Sequence, residues 1–135
     1  MSRPALAVLV TALAAAVPAF AQETRSGAAT VIDGATLEID GVRLRLDGVW
    51  IDGPDTPTGW TARLALGGLV SGGPVTCALQ TAERWRCLTA TGFDLAAPLV
   101  RFGLAAAAGP AYQYEQTLAV AAGVGLWREA GDGGR

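Results

Sequence analysis

Residues 37–46 alternate apolar and charged side chains with period two on both sides of an Asp40-Gly41 pair. An Asp-Gly pair between two such runs is typical of a β-hairpin. The side chains predicted to face the core are Val42, Leu44 and Leu46, and those predicted to face outward are Arg43, Arg45 and Asp47. We therefore expect an antiparallel sheet with one apolar face and one face that carries arginine.

The rest of the chain divides into short strands, turns and helices. We predict a strand at 30–32, a loop at 52–59 and a helix at 61–70 that Gly67-Gly68 weakens. Further predictions are paired strands at 75–79 and 85–89, a helix that Asp94 caps and that ends before Gly103, and a helix from Pro110 to Gly123. This order of three strands, one helix, two strands and two helices is an α+β arrangement that is mainly β.

The first 21 residues have the layout of a secretory signal peptide. Arg3 precedes an apolar run at residues 5–17, and an A-x-A cleavage site ends at Ala21. The alternative is an uncleaved membrane anchor, but the run of 13 residues is shorter than the roughly 20 residues that cross a bilayer. We predict a signal peptide at 1–21, one domain at 22–127, a polar tail at 128–135, no membrane span after cleavage, and a periplasmic or secreted location.

The charge balance argues against general binding to nucleic acid. All ten basic residues are arginine, and removal of Arg3 with the signal peptide leaves nine against twelve acidic residues, a net charge of −3. Proteins that bind nucleic acid through its phosphates usually present a basic surface, so we expect weak or no general nucleic-acid affinity. The chain also has no histidine, which excludes imidazole-based zinc sites and histidine-based nucleophile triads.

The chain has two cysteines, Cys77 and Cys87. In a protein exported to an oxidising compartment two cysteines most often pair, so we predict a disulfide between the adjacent strands that carry them. Closing so short a loop would stabilise the fold by roughly 2–3 kcal/mol. A reactive thiol or a metal pair is the alternative, but two cysteines without histidine make an incomplete metal site.

Two motifs overlap the predicted hairpin. Residues 31–37 read VIDGATL, which is close to V-I-D-G-D-T-L, and residues 45–53 read RLDGVWIDG, which keeps the arginine and glycine of R-L-x-G-[IV]-D-x-P-E. These two patterns belong to the thermonuclease (staphylococcal nuclease-like) family, which the chain therefore resembles. The downstream stretches that follow the family order are 74–77, 86–87, 92–105 and 125–127, so the resemblance covers nearly the whole mature chain.

The resemblance implies a five-stranded Greek-key barrel of the OB type with about three helices, a fold that binds oligonucleotides or oligosaccharides on one face. It also implies a site in which carboxylates hold calcium and activate water while two arginines bind the phosphate. Arg45 matches one family arginine. Arg86 is our candidate for the other, with Arg84 as an alternative because the preceding loop is shorter than in the family.

The carboxylates of that site are missing at three positions. In the ungapped alignment, Ala35 and Trp50 stand where the family has metal-binding aspartates, and Gly53 stands where it has a glutamate. We therefore expect a domain that has lost phosphodiester hydrolysis and serves as a non-catalytic binding or interaction module, with no metal or other cofactor. Trp50 is expected either to fill the vacated pocket or to form a contact surface.

A shift of two residues inside the second motif gives an alternative in which acids return. Asp52 and Asp55 then match a D-x-P-[DE] pattern and, with Asp33, would be metal ligands or catalytic groups beside the two arginines. The protein would be a weak calcium-dependent nuclease that acts on DNA or RNA. Against this, Ala35 stays lost in either register, and Asp, Gly and Pro clusters are common in ordinary turns.

The tryptophans favour a third hypothesis, a module that recognises a protein or glycan partner. Exposure of Trp60 and Trp85 on one face would support it, and burial of both would remove its basis. Trp127, at the end of the last predicted helix, is expected to plug the core. Arg43 and Arg45 also allow two interpretations, a residual anion site or a solvated strand face that discourages edge pairing.

Overall fold

The computed structural model describes residues 2–12 and 22–128, and within them it has an α+β arrangement of two β-sheets and three α-helices. Residues 2–12 are exposed and form neither helix nor strand. The predicted cleavage site and residues 129–135 of the predicted tail lie outside the described residues. None of the helices described is long and apolar enough to cross a lipid bilayer.

The elements follow in chain order. The strands are β1 (Thr24–Gly27), β2 (Thr30–Asp33), β3 (Thr36–Ile39), β4 (Val42–Leu46), β5 (Val49–Trp50), β6 (Val75–Thr81), β7 (Arg84–Leu88) and β8 (Ala106–Ala107). The helices are α1 (Pro57–Val70), α2 (Ala96–Arg101) and α3 (Gln113–Ala122), with short 3-10 turns at Pro110–Tyr112 and Gly125–Trp127.

The larger sheet has the strand order β1-β6-β7-β4-β3-β2, and β5 and β8 form a separate two-stranded sheet. Neighbouring strands are antiparallel except β4 and β7, which run parallel. The prediction of an α+β chain with about three helices is confirmed. The sheet nevertheless has six strands rather than five, and the strands described do not close into a barrel, since β1 and β2 remain its two edges.

The strands that the sequence analysis missed are short. Strand β1 has the sequence TRSG, in which no apolar residue alternates with a polar one, and β5 and β8 contain two residues each. Such segments carry too little periodicity to be recognised. They become strands because a neighbouring strand offers them backbone hydrogen bonds.

The hairpin of β3 and β4 follows the prediction. Asp40 and Gly41 have φ angles of 50° and 77°, as a two-residue turn of type I′ requires. In the middle of β4, Leu44 is buried while its neighbours Arg43 and Arg45 are exposed. The hairpin therefore presents its arginines on the side of the sheet that faces away from the core.

Helix α1 begins at Pro57, four residues before the predicted start. Thr56 caps it: the Thr56 hydroxyl accepts a hydrogen bond from the Gly59 N–H at 3.0 Å and donates one to the Gly53 carbonyl at 2.7 Å. Pro57 suits the first helical position because no N–H is needed there. The predicted loop at 52–59 therefore ends at the cap.

Cys77 of β6 and Cys87 of β7 are opposite residues of one antiparallel pair, and they form the predicted disulfide. Both residues are buried. The core around them contains residues of the sheet, of α1 and α2 and of the turn before α3. It includes Leu37, Leu46, Leu66, Trp85, Leu99 and Tyr112. The disulfide thus joins two strands inside the core rather than at the surface.

The last third of the chain is held by a cap and a left-handed turn. Oδ1 of Asp94 accepts hydrogen bonds from the N–H groups of Ala96 and Ala97, at 2.8 and 3.3 Å, so the predicted cap is confirmed although the regular helix starts at Ala96. Gly123, with φ of 62°, ends α3. The prediction for Trp127 is wrong, because this residue is half-buried in the turn after α3 and lies outside the buried core.

Candidate functional site

The outward face of the larger sheet contains a groove of about 820 Å³. We call it the arginine groove. The charged residues that line it are Glu23, Asp33, Arg43, Arg45, Glu83 and Arg84. Leu79 and Trp85 are among the apolar residues that form its walls. The groove therefore combines an apolar lining with equal numbers of positive and negative groups.

The centre of the groove is set by strand register. Arg45 on β4 pairs with Arg84 on β7 in the parallel ladder, and Thr36 on β3 pairs with Arg45 on the other side. Asp33 on β2 is in turn the partner of Thr36. Because neighbouring strands lie about 4.8 Å apart, the two arginines are adjacent and Asp33 lies two strands from Arg45.

The charges of the groove are not equally neutralised by neighbours. Nε of Arg43 lies 3.9 Å from a carboxylate oxygen of Glu38, and Glu23 forms an ion pair of 3.2 Å with Arg25. Within residues 22–128, Arg45 and Arg84 have no carboxylate within ion-pair distance. The two central arginines are therefore the cations of the groove that are left to bind a ligand.

Asp33 lies in the groove, but its carboxylate supports its own turn. Oδ1 accepts a hydrogen bond from the Ala35 N–H at 2.9 Å, which is an ordinary arrangement for a turn aspartate. Ala35 itself is buried in the core cluster. Between them, a Cβ on Gly34 would lie 2.6 Å from Cβ of Ala62 on α1, so this turn packs tightly against the helix.

Asp52, Gly53 and Asp55 lie away from the groove, in the loop between β5 and α1. Oδ1 of Asp52 accepts a long hydrogen bond of 3.3 Å from the Gly53 N–H, and the Gly53 carbonyl serves the cap of α1. Among the described residues, no three acidic, cysteine or histidine side chains are grouped so that they could hold a metal ion. The structure thus separates Asp33 from the other two acids of the alternative set.

Trp50 also lies outside the residues that line the groove. It pairs with Ala106 in the two-stranded sheet and is 53% exposed. The prediction that Trp50 fills the vacated pocket is therefore not supported, and the exposed ring is consistent with a contact surface. Trp85 is only 6% exposed and belongs to the core, whereas Trp60 is 52% exposed. Of the two tryptophans whose shared exposure would have supported the third hypothesis, only Trp60 is therefore at the surface.

Arg86 belongs to a second cluster. Its Nε donates to Oδ2 of Asp94 at 3.1 Å, and the Tyr112 hydroxyl donates to the same carboxylate at 2.9 Å. These three residues, with the half-buried Asp47, line a separate cleft of about 270 Å³. The structure therefore places Arg84, and not Arg86, beside Arg45, a distinction that depends on the register between β4 and β7.

The environment of Tyr112 changes its acidity. Burial raises the pKa of the Tyr112 hydroxyl well above its usual value, and the charge of Asp94 and the hydrogen bond to it raise this pKa further. The Arg86 guanidinium acts in the opposite direction, with a smaller effect. Tyr112 is therefore a neutral hydrogen-bond donor at physiological pH, and its role is structural.

Two further surfaces were missed or only partly predicted. On α1, Trp60 and Leu64 are 52% and 59% exposed, and the Arg63 guanidinium lies 5.6 Å from the centre of the Trp60 ring. An apolar cleft of about 480 Å³ lies between the end of α1 and the start of α2, with the exposed Phe93 at its edge. The sequence signal that could have indicated this cleft is Phe93, an aromatic residue between Gly92 and Asp94.

Comparison with known proteins gives no matching family model and no matching curated protein.

Proposed function

We propose that this protein is an exported, thermonuclease-like domain that binds a phosphate-containing ligand in the arginine groove without hydrolysing it. The observation that carries the proposal is the separation of charges. Arg45 and Arg84 are adjacent and have no ion-pair partner within residues 22–128, whereas Asp33 lies in the groove and Asp52 and Asp55 do not.

The residues present do not fit a calcium ion. Calcium takes about six to eight oxygen ligands, among them carboxylates that converge on one point. In the groove, the Asp33 carboxylate already accepts the Ala35 N–H, and the described acids do not form a group that could hold a metal. A guanidinium pair binds phosphate strongly through charge-assisted hydrogen bonds but cannot activate water. Binding without hydrolysis is the chemistry that this set of groups supports.

The order of the strands also supports a proposal about the type of fold. We propose that β2-β3-β4-β7-β6 is a partly open Greek-key barrel of the OB type, to which β1 adds an edge strand. The groove then lies on the central strands of this unit, on the face where such folds bind ligands. The buried Cys77–Cys87 disulfide supports export to an oxidising compartment, either periplasmic or extracellular.

Hydrolysis is tested on the exported protein with its disulfide intact. Incubation with labelled single-stranded DNA or RNA and calcium should give no cleavage above a buffer control. Arg45→Ala removes one arginine of the central pair, and Arg43→Ala, on the same strand, is its control. Calcium-dependent digestion that Arg45→Ala abolishes, and that Asp52→Asn also abolishes, would overturn the proposal in favour of the weak nuclease that uses Asp33, Asp52 and Asp55.

A second candidate function, recognition of a protein or glycan partner, is favoured by the exposed apolar face of α1. Trp60 offers a ring on which a sugar or an apolar side chain could stack. Titration with oligosaccharides should quench tryptophan fluorescence in the wild type but not in Trp60→Ala if a glycan is the partner. Equal quenching in both proteins would remove this candidate.

A further inference from the structure

We infer that the Arg45–Arg84 pair selects a terminal phosphate, that is, a phosphate monoester with three free oxygens, over the phosphodiesters inside a polynucleotide. This inference rests on the proposed function and names the ligand class of the same groove. It is supported by the register of the two arginines on neighbouring strands, by the number of oxygens that two guanidinium groups require and by the acids that line the groove.

Two like charges lie next to each other at the centre of the groove. Arg45 and Arg84 are register partners on neighbouring strands, and a guanidinium stays protonated at any pH a protein tolerates. Like charges at such positions destabilise a sheet. No described acid pairs with either arginine, so a bound anion is what would remove the repulsion.

Two guanidinium groups together require several acceptor oxygens on the ligand. A guanidinium binds an oxyanion best through two parallel hydrogen bonds to two of its oxygens. Two guanidinium groups on strands about 4.8 Å apart can both bind in this way only if the anion has at least three free oxygens, one of them shared. A phosphate monoester has three free oxygens and a charge near −2 at neutral pH, whereas a phosphodiester has two free oxygens and a single charge.

Acidic residues line the groove around the arginine pair. Along the row of register partners, Asp33 lies two strands from Arg45, and Glu83 directly precedes Arg84 in the turn before β7. Glu23 lines the same groove near the other edge of the sheet, next to β1, where its carbonyl accepts the Leu79 N–H of β6. Phosphates on either side of a central phosphodiester would approach these carboxylates and be repelled. A terminal group has no such neighbours on one side.

Arg43 does not change this conclusion. It lines the groove and could in principle receive a second phosphate along β4. Its guanidinium, however, already lies 3.9 Å from the carboxylate of its register partner Glu38. Arg43 therefore provides a matched control, because it carries the same charge on the same strand but is not part of the central pair.

The test uses two small ligands, one a monoester with three free oxygens and a charge near −2, the other a diester with two free oxygens and a single charge. Methyl phosphate and dimethyl phosphate are titrated at pH 8 into the exported, disulfide-bonded protein, and chemical shifts or heats of binding are recorded. We expect methyl phosphate to bind at least about tenfold more tightly, as the loss of one charge-assisted hydrogen bond would produce. Its binding should weaken below about pH 6, where the monoester takes up a proton while both arginines stay charged.

Variants connect the binding to the arginine pair. Arg45→Ala and Arg84→Ala should each weaken methyl phosphate binding about tenfold or more, while Arg43→Ala should change it less than about threefold. A thermal melt of each variant confirms that it is folded. A 5′-phosphorylated oligothymidine should bind much more tightly than the same oligomer without the terminal phosphate.

The outcomes separate the two proposals. Equal binding of methyl phosphate and dimethyl phosphate, lost in both Arg45→Ala and Arg84→Ala, would overturn the selectivity and leave the proposed function intact. If neither methyl phosphate nor dimethyl phosphate binds, the proposed function and the selectivity are both overturned. Binding that neither arginine substitution weakens would show that the site lies elsewhere, which also contradicts both.

Discussion

Arg45 and Arg84 lie side by side in register on the parallel strands β4 and β7, at the centre of an otherwise antiparallel sheet. Each belongs to a local segment with its own turn, and the two residues are 39 positions apart along the sequence. Their adjacency is a consequence of the parallel pairing. The pairing of β4 with β7 sets the centre of the groove, whereas Arg86, further along β7, pairs with Asp94 in a separate cleft.

The first prediction concerns the repulsion between these two cations. Without ligand, Arg84→Gln should raise the free energy of unfolding by about 0.2–1 kcal/mol, because it removes one of two like charges on neighbouring strands. Thermal denaturation at low salt measures the change. Added inorganic phosphate should raise the melting temperature of the wild type but not of Arg84→Gln, since a ligand stabilises only the form that binds it.

Arg43→Gln is the control for this experiment. Arg43 has Glu38 as a register partner, so its replacement should leave stability unchanged or lower it slightly. A stabilisation by Arg43→Gln as large as that by Arg84→Gln would show that general charge reduction, rather than the Arg45–Arg84 pair, is responsible.

The second prediction concerns Asp94, which joins three parts of the fold. Its carboxylate accepts hydrogen bonds from two N–H groups of α2, from the Tyr112 hydroxyl and from Arg86. Asp94→Ala should lower the free energy of unfolding by about 2–4 kcal/mol, because it removes a helix cap and leaves buried donors without partners. Urea denaturation measures the loss. Asp52→Ala removes a half-buried loop carboxylate whose hydrogen bond to the next N–H is long, at 3.3 Å, and should cost less than about 0.5 kcal/mol.

The third prediction is a loss of stability at alkaline pH. The pKa of Tyr112 is raised in the folded protein by burial and by Asp94, whereas in the unfolded chain it is about 10. The stabilisation is therefore complete below about pH 10 and is lost as the pH rises towards the folded-state value. The free energy of unfolding should decrease above this pH in the wild type and decrease less in Tyr112→Phe. Identical curves for the two proteins would contradict the assignment.

The fourth prediction concerns two glycines of α1 that differ in their surroundings. A Cβ on Gly59 would lie 2.1 Å from the Gly53 carbonyl oxygen, whereas one on Gly67 would meet no atom within 4 Å. Gly59→Ala should therefore destabilise the fold by about 1–3 kcal/mol through overpacking, and Gly67→Ala should stabilise it by up to about 1 kcal/mol through helix propensity. Opposite shifts in melting temperature are the expected result, and shifts of the same sign would refute it.

The fifth prediction concerns the disulfide. Replacement of both Cys77 and Cys87 by alanine should lower the free energy of unfolding by about 2–4 kcal/mol, since the bond restricts the unfolded chain. Denaturation of the variant is compared with that of the wild type under oxidising and reducing conditions. The variant should be insensitive to reductant. If reductant does not destabilise the wild type, the buried disulfide is protected from the reductant in the folded protein. Reduction in mild denaturant should then lower the stability of the wild type after a delay.

Local sequence was sufficient for the parts of the fold that depend on a few neighbouring residues. The turn at Asp40-Gly41 and the alternation around Leu44 specify the β3–β4 hairpin, because both signals lie within one segment. The same is true of Asp94, whose side chain reaches the N–H groups two and three residues further along the chain. The Cys77–Cys87 pair follows from the short connection between two strands.

The start of α1 shows where local reading becomes insufficient. Thr56 caps the helix through its own hydroxyl, but the close fit of Gly59 against the Gly53 carbonyl depends on the path of the preceding loop. The sequence placed this loop at 52–59 because Pro and Gly are frequent in turns. Pro57 and Gly59 belong instead to the first turn of the helix.

The sequence by itself determined most of the longer helices and strands, the two faces of the hairpin and the disulfide. Only the tertiary structure decided which side chains lie together. It placed Arg84 beside Arg45, paired Arg86 with Asp94 and left Trp50 outside the groove. The physical reason is that turn chemistry and side-chain alternation act over a few residues. The register between strands distant in sequence is set by packing of the whole core.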